Sequence, residues 1–205
     1  MFNHSDSGSL TVAQQKSAAA VLGQAFSQDP FMTYLLPNAT TRVQQLTTLL
    51  LPAIRCSLRY GGVEVAPDGG STLAWISGEY FPLRFPLIVQ SGLIWTPLSI
   101  GLSAFKRLRT HETLCGHALK TRAPDGFAYL WVVGVHPNAA GRGLGKRLIQ
   151  SALDTMQRRG HSACLLRTEN PRNVEIYEHL GFKAIHTDIS PGSNLRYWLL
   201  SQELG

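Results

Sequence analysis

Cysteine is scarce in this chain, and its spacing excludes two classes of site. The 205 residues include three cysteines, Cys56, Cys115 and Cys164. An odd, widely spaced set gives neither a disulfide framework nor a C-x-x-C metal pair. The seven histidines contain no H-E-x-x-H motif or other paired ligand spacing. We therefore predict reduced thiols, a cytoplasmic protein and no metal site.

The chain also has few features of proteins that bind nucleic acid, are secreted or cross membranes. No dense block of Lys and Arg with interleaved aromatic residues is present, so nucleic acid is not expected as a partner. The first ten residues, MFNHSDSGSL, lack the basic and apolar regions of a secretory signal. Residues 85–105 carry no charge, but Pro86, Gly92 and Pro97 interrupt them. We predict no membrane span here, but a lid or wall of helices over an apolar substrate pocket.

The composition is that of an ordinary globular protein with a basic surface. Hydrophobic residues make up 44% and charged residues 16%, so we predict one domain over residues 1–205. The formal net charge of +6 suits an anionic ligand, although it equally suits a surface that is basic without a ligand.

Hydrophobic periodicity predicts an α/β domain built on a mixed sheet. Helices are predicted over 11–27, ending at Asp29-Pro30, over 40–60, over 83–120 with breaks, and over 143–159 and 172–180. Strands are predicted at 63–66, 72–76, 127–135, 163–167, 182–188 and 195–201. The strand–helix–strand unit over 127–167 predicts one parallel pair with a right-handed crossover.

The segment from Val133 to Lys146 is the most informative part of the chain. An apolar strand ends at His136-Pro137, and three glycines spaced two apart precede an amphipathic helix. Backbone N–H groups at the start of a helix bind phosphate, and glycine lets the backbone approach the ligand closely. A Walker loop is excluded by Ala140 and Arg147, and a dinucleotide fingerprint fails because Lys146 and Leu148 replace its last glycine.

The remaining pattern, x-G-R-G-L-G after a strand, resembles the acyl-CoA signature of the GCN5-related N-acetyltransferases, the GNAT superfamily. Ala140 stands where that signature prefers Gln or Arg. A second segment, from Asn170 through Tyr177 to Gly181-Phe182, resembles the family pattern N-x-x-[A/N]-x-x-x-Y-x-x-x-G-F. The resemblance implies a single-domain fold with a mixed, mostly antiparallel sheet, splayed at its parallel strand pair and flanked by helices.

The resemblance also implies where acetyl-CoA binds, within a core at about residues 127–183. The family uses a bulge in the strand before the glycine loop to free backbone N–H groups for the acetyl and pantetheine portions, and Gly134 would tolerate such a distortion. Asn170 would bond the pantetheine arm, cap the helix that starts at Pro171, or do both. The implied CoA-binding residues are Val133, Gly134, Val135, Gly141, Arg142, Gly143, Leu144, Gly145, Lys146, Asn170 and Tyr177.

Acetyl transfer to an amine needs an acid for the departing thiolate and a base for the attacking amine. The resemblance assigns the acid to Tyr177, since its family counterpart lies close to the CoA sulfur. Glu79, after the second predicted strand, is the first candidate for the base, with Glu112 and His117 next. His136 is expected to be structural.

The broader layout resembles a subgroup that includes puromycin N-acetyltransferase. The matching residues are 25–30, 59–62 and 171–173, whereas Arg167 stands before Thr168 where that subgroup often carries Glu. The expected activity is acetyl transfer from acetyl-CoA to a small, partly apolar amine in a ternary complex, with helices over about 11–120 on the acceptor side. Alternatives are a protein or peptide N-acetyltransferase and a non-catalytic acyl-CoA-binding module. Either a monomer or a homodimer is expected.

Overall fold

A computed structural model describes residues 10–205 and contains a six-stranded sheet in the order β1-β2-β3-β4-β6-β5. The strands are β1 (Gly61–Val65), β2 (Ser71–Ser77), β3 (Ala128–Val135), β4 (Ala163–Thr168), β5 (Lys183–Ser190) and β6 (Leu195–Glu203). Every neighbouring pair is antiparallel except β3 and β4, which are parallel. The predicted mixed sheet with one parallel pair is therefore confirmed.

Helices cover both faces of this sheet. They are α1 (Val12–Ala25), α2 (Pro30–Leu35), α3 (Ala39–Tyr60), α4 (Phe85–Ser91), α5 (Thr96–Ile100), α6 (Leu102–Lys120), α7 (Leu144–Arg158) and α8 (Pro171–Glu178). Alternate residues of β2 point to opposite faces. Ala74 and Ile76 pack with α1, α3 and α6, whereas Leu73 and Trp75 pack with α7 and α8.

Helix α7 has the apolar stripe that its sequence predicts. Leu144, Leu148, Ala152 and Met156 are all buried against the sheet. The helix ends two residues before Gly160, whose φ of +80° an L side chain rarely adopts. The position of this helix fixes where the glycine loop meets the sheet.

The chain around Asp29-Pro30 differs from the prediction. Helix α1 ends at Ala25, and Asp29-Pro30 begins a further helix, α2, which the sequence pattern did not predict. Asp29 is the N-cap and Pro30 the first helical residue, where a missing N–H costs nothing. An Asp-Pro dipeptide can mark the end of one helix or the start of the next, and here it marks the start of α2.

Residues 83–120 are helical with breaks, as predicted, and the breaks fall at Gly92 and Gly101, both with positive φ. The expected apolar lid is not supported, because six large apolar side chains between residues 85 and 102 are exposed. Across residues 10–205, no helix combines the length and the apolarity needed to cross a bilayer. The prediction about a secretory signal concerns residues 1–9 almost entirely, which lie outside the described part of the chain.

Candidate acyl-CoA and acceptor site

The parallel strands β3 and β4 separate after a short ladder, which opens a cleft. Only residues 128–130 of β3 pair with 164–166 of β4. Beyond Leu130, β3 keeps β2 as its neighbour on one side and has no strand of the described sheet on the other. Backbone N–H and C=O groups on that open side are therefore available to a ligand.

A β-bulge marks the point of separation. The β2–β3 register passes from Trp75–Leu130 to Ala74–Val132, which leaves Trp131 as the extra residue on β3. Trp131 and Val132 consequently both pack on the α1 and α3 side of the sheet. The predicted bulge is present, three residues before Gly134.

Gly134 has a packing role instead. A Cβ at this position would lie 2.7 Å from the Cβ of Ala25 and 3.0 Å from Cδ2 of Leu22. Glycine is required here because α1 approaches the strand too closely for any side chain. The expectation that Gly134 hosts the bulge is corrected accordingly, although its backbone still borders the cleft.

The glycine loop joins the end of β3 to an uncapped start of α7. The N-cap is Gly143 with φ of +69°, and no side chain hydrogen-bonds to the first turn. The first intrahelical bond in the loop is from the Arg147 N–H to the Gly143 carbonyl, 3.2 Å. The N–H groups of Leu144, Gly145 and Lys146 precede it and have no helical partner. With no acidic residue in the first turn, this end attracts an anion.

The loop is held in place by the β1–β2 turn. The His136 N–H donates to the Gly70 carbonyl at 2.9 Å, and the Arg142 guanidinium lies 2.8 Å from the Asp68 carboxylate. The Gly70 N–H and the Arg142 charge lower the pKa of Asp68. His136 accepts from the Asn138 N–H, which agrees with the structural role expected for it. Only Nη1 of Arg142 is engaged by Asp68 in this pair, so the other guanidinium N–H groups and the backbone N–H remain for phosphate.

Tyr177 lies in the core on the α7 side of the sheet, below the separating strands. It packs with Val133, Cys164 and Phe182, and its ring meets that of Phe182 edge-on at 5.6 Å. Burial raises the pKa of Tyr177, so the phenol keeps its proton at neutral pH. Among the described residues no hydrogen bond engages its hydroxyl. Asn170 is the N-cap of α8, accepting from the Arg172 N–H at 3.1 Å.

The structure places Glu79 away from the glycine loop. Glu79 is exposed in a 3₁₀ turn after β2, beside Phe127 at the start of β3, whereas the glycine loop follows the end of β3. An eight-residue strand separates the two by roughly 20 Å or more. His117 is exposed near the end of α6, and Glu112 is engaged by Arg167. None of the three predicted bases adjoins Tyr177.

A buried polar cluster that the sequence did not predict lies at the end of β4. Glu169 Oε1 is 2.8 Å from His111 Nε2 and 2.8 Å from Arg167 Nε. Arg167 Nη2 is also 2.7 Å from Glu112 Oε1. Burial opposes ionisation of Glu169, but the Arg167 charge and the His111 hydrogen bond outweigh it and lower the pKa of that carboxyl. Glu169 is thus held ionised, with Oε2 free of described partners.

Asp29 is a second carboxyl group near Glu169, and its pKa is shifted in the opposite direction. Its Oδ1 accepts from the N–H groups of Phe31 and Met32 at 3.0 and 3.2 Å, and Oδ2 has no described partner. Burial, together with the charge of Glu169, raises the pKa of Asp29 to about 6 despite these bonds. The Asp29 charge also contributes to the raised pKa of Tyr177. Asp29 is therefore close enough to Glu169 and to Tyr177 for its charge to affect both groups.

The cluster also contains donor atoms that metals use, but its charges do not suit a cation. His111, Cys115 and Glu169 have ligand atoms within 4.8 Å of one another. The Arg167 guanidinium already contacts the Glu169 oxygen, and burial raises the pKa of the Cys115 thiol to about 12. A metal would have to displace that thiol proton beside a fixed positive charge. The prediction of no metal stays a prediction.

A cavity of about 210 Å³ lies on the other side of His111, between α6 and the β5–β6 turn. The residues that line it are mostly polar or basic in type and none is acidic, although carbon atoms make up most of the lining surface: Tyr34, Ser103, Lys106, Arg107, Thr110, His111, Ser190, Gly192 and Ser193. Phe31 stacks on His111 at 4.0 Å, and Ser190 Oγ lies 3.1 Å from His111 Nδ1. His111 therefore separates this cavity from Glu169.

Two local signals could have indicated part of this cluster. His111 and Cys115 are four residues apart on one helix and so share a face. Asp followed by Pro is a helix-start signal, which places an Asp carboxylate at a helix N-terminus. No local signal connects His111 to Glu169, because 58 residues separate them.

Comparison with known proteins identifies relatives of this chain. The sequence model of the Acetyltransferase (GNAT) family matches residues 75–182, slightly more than half of the chain. A mycothiol acetyltransferase of Rhodococcus jostii (strain RHA1) is 30% identical over 157 residues, which cover 71% of this chain and 51% of that protein. A mycothiol acetyltransferase of Rhodococcus opacus (strain B4) is 40% identical over 145 residues, 65% of this chain and 48% of that protein.

The chain thus spans about half the length of these curated relatives. Among solved structures, the C-terminal condensation domain of Ebony in complex with beta-alanyl-dopamine has a TM-score of 0.67 at 11% identity, covering 95% of this chain and 96% of that one. A likeness at that identity shows the fold alone. The narrower resemblance to puromycin N-acetyltransferase is not confirmed by these relatives and stays a prediction.

Proposed function

Because this chain belongs to the Acetyltransferase (GNAT) family, we propose that it is an acetyl-CoA-dependent N-acetyltransferase acting on a small amine in a ternary complex. The observation that carries the proposal is the uncapped, glycine-rich start of α7 beside the point where β3 and β4 separate. The three cysteines are free and buried, which supports placing this activity in the cytoplasm.

The donor would lie along the open side of β3, with its pyrophosphate on the glycine loop. The phosphate-binding groups would be the backbone N–H groups of Gly141, Arg142, Gly143, Leu144, Gly145 and Lys146. Free N–H groups beyond Leu130 would bond the pantetheine arm and the thioester carbonyl, whose oxygen gains negative charge as the amine attacks. Val133, Gly134 and Val135 border this path, and Asn170 begins the helix on its other side.

Proton transfer would then use Asp29 and Tyr177. The amine nitrogen attacks the carbonyl carbon, the C–S bond breaks, Asp29 takes the proton of the amine and Tyr177 donates its proton to the sulfur. The free Oδ2 of Asp29 and the raised pKa suit a base that works near neutral pH. Glu169, fixed in its ionised form by Arg167 and His111, would attract the ammonium form of the acceptor. Asp29 replaces Glu79 as our candidate base.

The proposed acceptor is a small amine, and a panel of amines tests whether it is polar or hydrophobic. Six large apolar side chains of the segment that suggested a hydrophobic acceptor are exposed, whereas the cavity next to His111 is lined mostly by residues with polar or basic groups. We therefore favour an acceptor with polar groups near its amine over a mainly hydrophobic one. Since the curated relatives are named for mycothiol, the acceptor of those enzymes belongs in any panel of amines.

The test is thiol release from acetyl-CoA with a panel of small amines and N-terminal peptides. Tyr177→Phe should lower turnover at least about a hundredfold, because the thiolate would leave without a proton donor. Its affinity for CoA, measured by calorimetry, should stay unchanged. Release only with peptides would favour the protein acetyltransferase, and CoA binding without release for any acceptor would favour a non-catalytic module and contradict the proposal.

A further inference from the structure

The helices between β2 and α6 expose an unusual number of large apolar side chains. Helices α4 and α5 and the 3₁₀ turn between them (Leu93–Trp95) form an outer layer on α3. In this layer and the first residue of α6, six large apolar residues are between 39% and 79% exposed. They are Phe85, Val89, Ile94, Trp95, Leu98 and Leu102, and we call them the apolar patch.

In the apolar patch, polar side chains are buried and large apolar side chains are exposed, the reverse of the usual arrangement. Ser91 and Thr96 are buried while Trp95 and Leu98 face water. Because α4 and α5 pack on α3, and α3 packs on β1 and β2, the patch points away from the sheet. Phe85 and Val89 are four residues apart on α4 and share a face, whereas Leu98 of α5 and Leu102 of α6 lie on either side of the break at Gly101. Exposed large apolar side chains grouped within residues 85–102 indicate an interaction site.

The patch lies away from the donor half of the proposed active site and from the cavity beside His111. The glycine loop and Tyr177 lie with α7 and α8 on the opposite face of the sheet. The polar cavity beside His111 includes none of the six patch residues in its lining. A role as the wall of a substrate pocket therefore leaves the patch unexplained.

Charge identifies the kind of partner. From Tyr80 to His111 the chain contains no Asp or Glu, and Arg84, Lys106 and Arg109 are exposed around the patch. Two copies of this chain meeting here would bring like charges together with no local acid to pair them. An anionic lipid surface offers apolar depth for Trp, Phe and Leu and negative charge for Arg and Lys.

We propose that the apolar patch and its basic rim dock this protein on the surface of an anionic bilayer. The short helices would lie within the interface, since none of them is long enough to span it. The proposal does not depend on the acetyltransferase activity and would place that activity at the membrane surface.

Vesicle co-sedimentation tests the proposal on the full chain. Vesicles of equal parts phosphatidylcholine and phosphatidylglycerol should sediment the protein, and pure phosphatidylcholine should sediment it at least about tenfold less. Raising the salt to about 0.5 M should weaken binding, because the Debye length shortens. Trp95 emission should shift to shorter wavelength with anionic vesicles, and Trp95→Phe should remove that shift.

Variants distinguish binding through the apolar patch from nonspecific adsorption to the vesicles. The double variant Leu98→Ser/Leu102→Ser should lose at least about tenfold in vesicle partition, and Arg84→Gln/Arg109→Gln should lose salt-sensitive binding. Val12→Ser is the matched control, since Val12 is 59% exposed on α1 and outside the patch. All variants should keep wild-type circular dichroism and CoA affinity. No sedimentation of the wild type with anionic vesicles overturns the proposal, and so does a dimer in ultracentrifugation that Leu98→Ser/Leu102→Ser dissociates.

Discussion

Asp29 and Glu169 show how neighbouring carboxyl groups acquire different roles. Glu169 receives a guanidinium and an imidazole on one oxygen, so its charge is compensated and its pKa falls. Asp29 receives only two backbone N–H groups, and burial with the nearby Glu169 charge raises its pKa to about 6. Groups whose environments separate their pKa values in this way are the usual candidates for acid–base work.

Replacing Asp29 with Asn tests its role as the base without removing the helix cap. The pH profile of kcat/KM for the wild type should fall as pH drops through about 6, since protonated Asp29 cannot accept a proton. Asp29→Asn should lose about a hundredfold or more in kcat and lose this acidic limb. An unchanged profile in the variant would exclude Asp29.

The same variant has a distinct effect on stability, which serves as its folding control. A carboxyl whose pKa is raised in the folded state favours folding when protonated, and this advantage is lost as pH rises through about 6. Asn caps helices as well as Asp does and carries no charge. In urea denaturation at pH 7, Asp29→Asn should therefore be at least as stable as the wild type. A loss of activity in this variant would then not reflect unfolding.

At the scale of elements, the start of α7 depends on a short stretch of backbone. Gly143 adopts φ of +69°, and the helix begins without a side-chain cap or an acidic residue. These features leave N–H groups and the helix dipole directed at one anion. Ala140, in the position where the family signature prefers Gln or Arg, is exposed and outside this group of donors.

Gly143→Val should weaken CoA binding at least about tenfold, because a β-branched residue strains the left-handed backbone and tilts the donor groups. The strain should also lower the free energy of unfolding by about 1–2 kcal/mol. Isothermal calorimetry with CoA measures the first effect and urea denaturation the second. Ala140→Gln is the control and should bind CoA with unchanged or slightly higher affinity. Equal affinity in Gly143→Val would show that the loop does not hold the pyrophosphate.

At the scale of the whole molecule, the buried cluster connects elements that are distant in sequence. Arg167 at the end of β4 joins Glu112 of α6, and His111 of α6 joins Ser190 at the end of β5 while stacking on Phe31 of α2. The cluster therefore holds the helices on the acceptor side against the end of the sheet that carries the cleft.

Arg167→Leu should lower the free energy of unfolding by about 3 kcal/mol at pH 7, because it leaves the buried Glu169 without its cation. Because folding lowers the pKa of Glu169, the ionised carboxylate stabilises the fold at pH values above the pKa that Glu169 has in the unfolded chain. This stabilisation is lost as the pH falls. The deficit of the variant should therefore shrink towards pH 4. Arg142→Leu, which breaks the exposed pair with Asp68, is the control and should leave the free energy of unfolding nearly unchanged. Equal effects of the two substitutions would contradict a role for the cluster in stability.

The sequence by itself determined the features that arise from neighbouring residues. Periodicity located the six strands and the long helices, and the glycine register together with the Asn170–Tyr177–Phe182 spacing identified the family. These signals are local, because strand alternation, helix faces and turn glycines depend on residues a few positions apart. The breaks in 83–120 were predictable for the same reason.

Only the tertiary structure decided which distant groups meet. It places Glu79 at the end of β3 far from the glycine loop, and we propose Asp29 as the base instead. It joined His111 to Glu169 across 58 residues, and it gave Gly134 a packing role against α1. It also turned the uncharged segment outward, because burial depends on which face of a helix packs on α3. Such contacts depend on how elements pack, and no pattern within a single element encodes them.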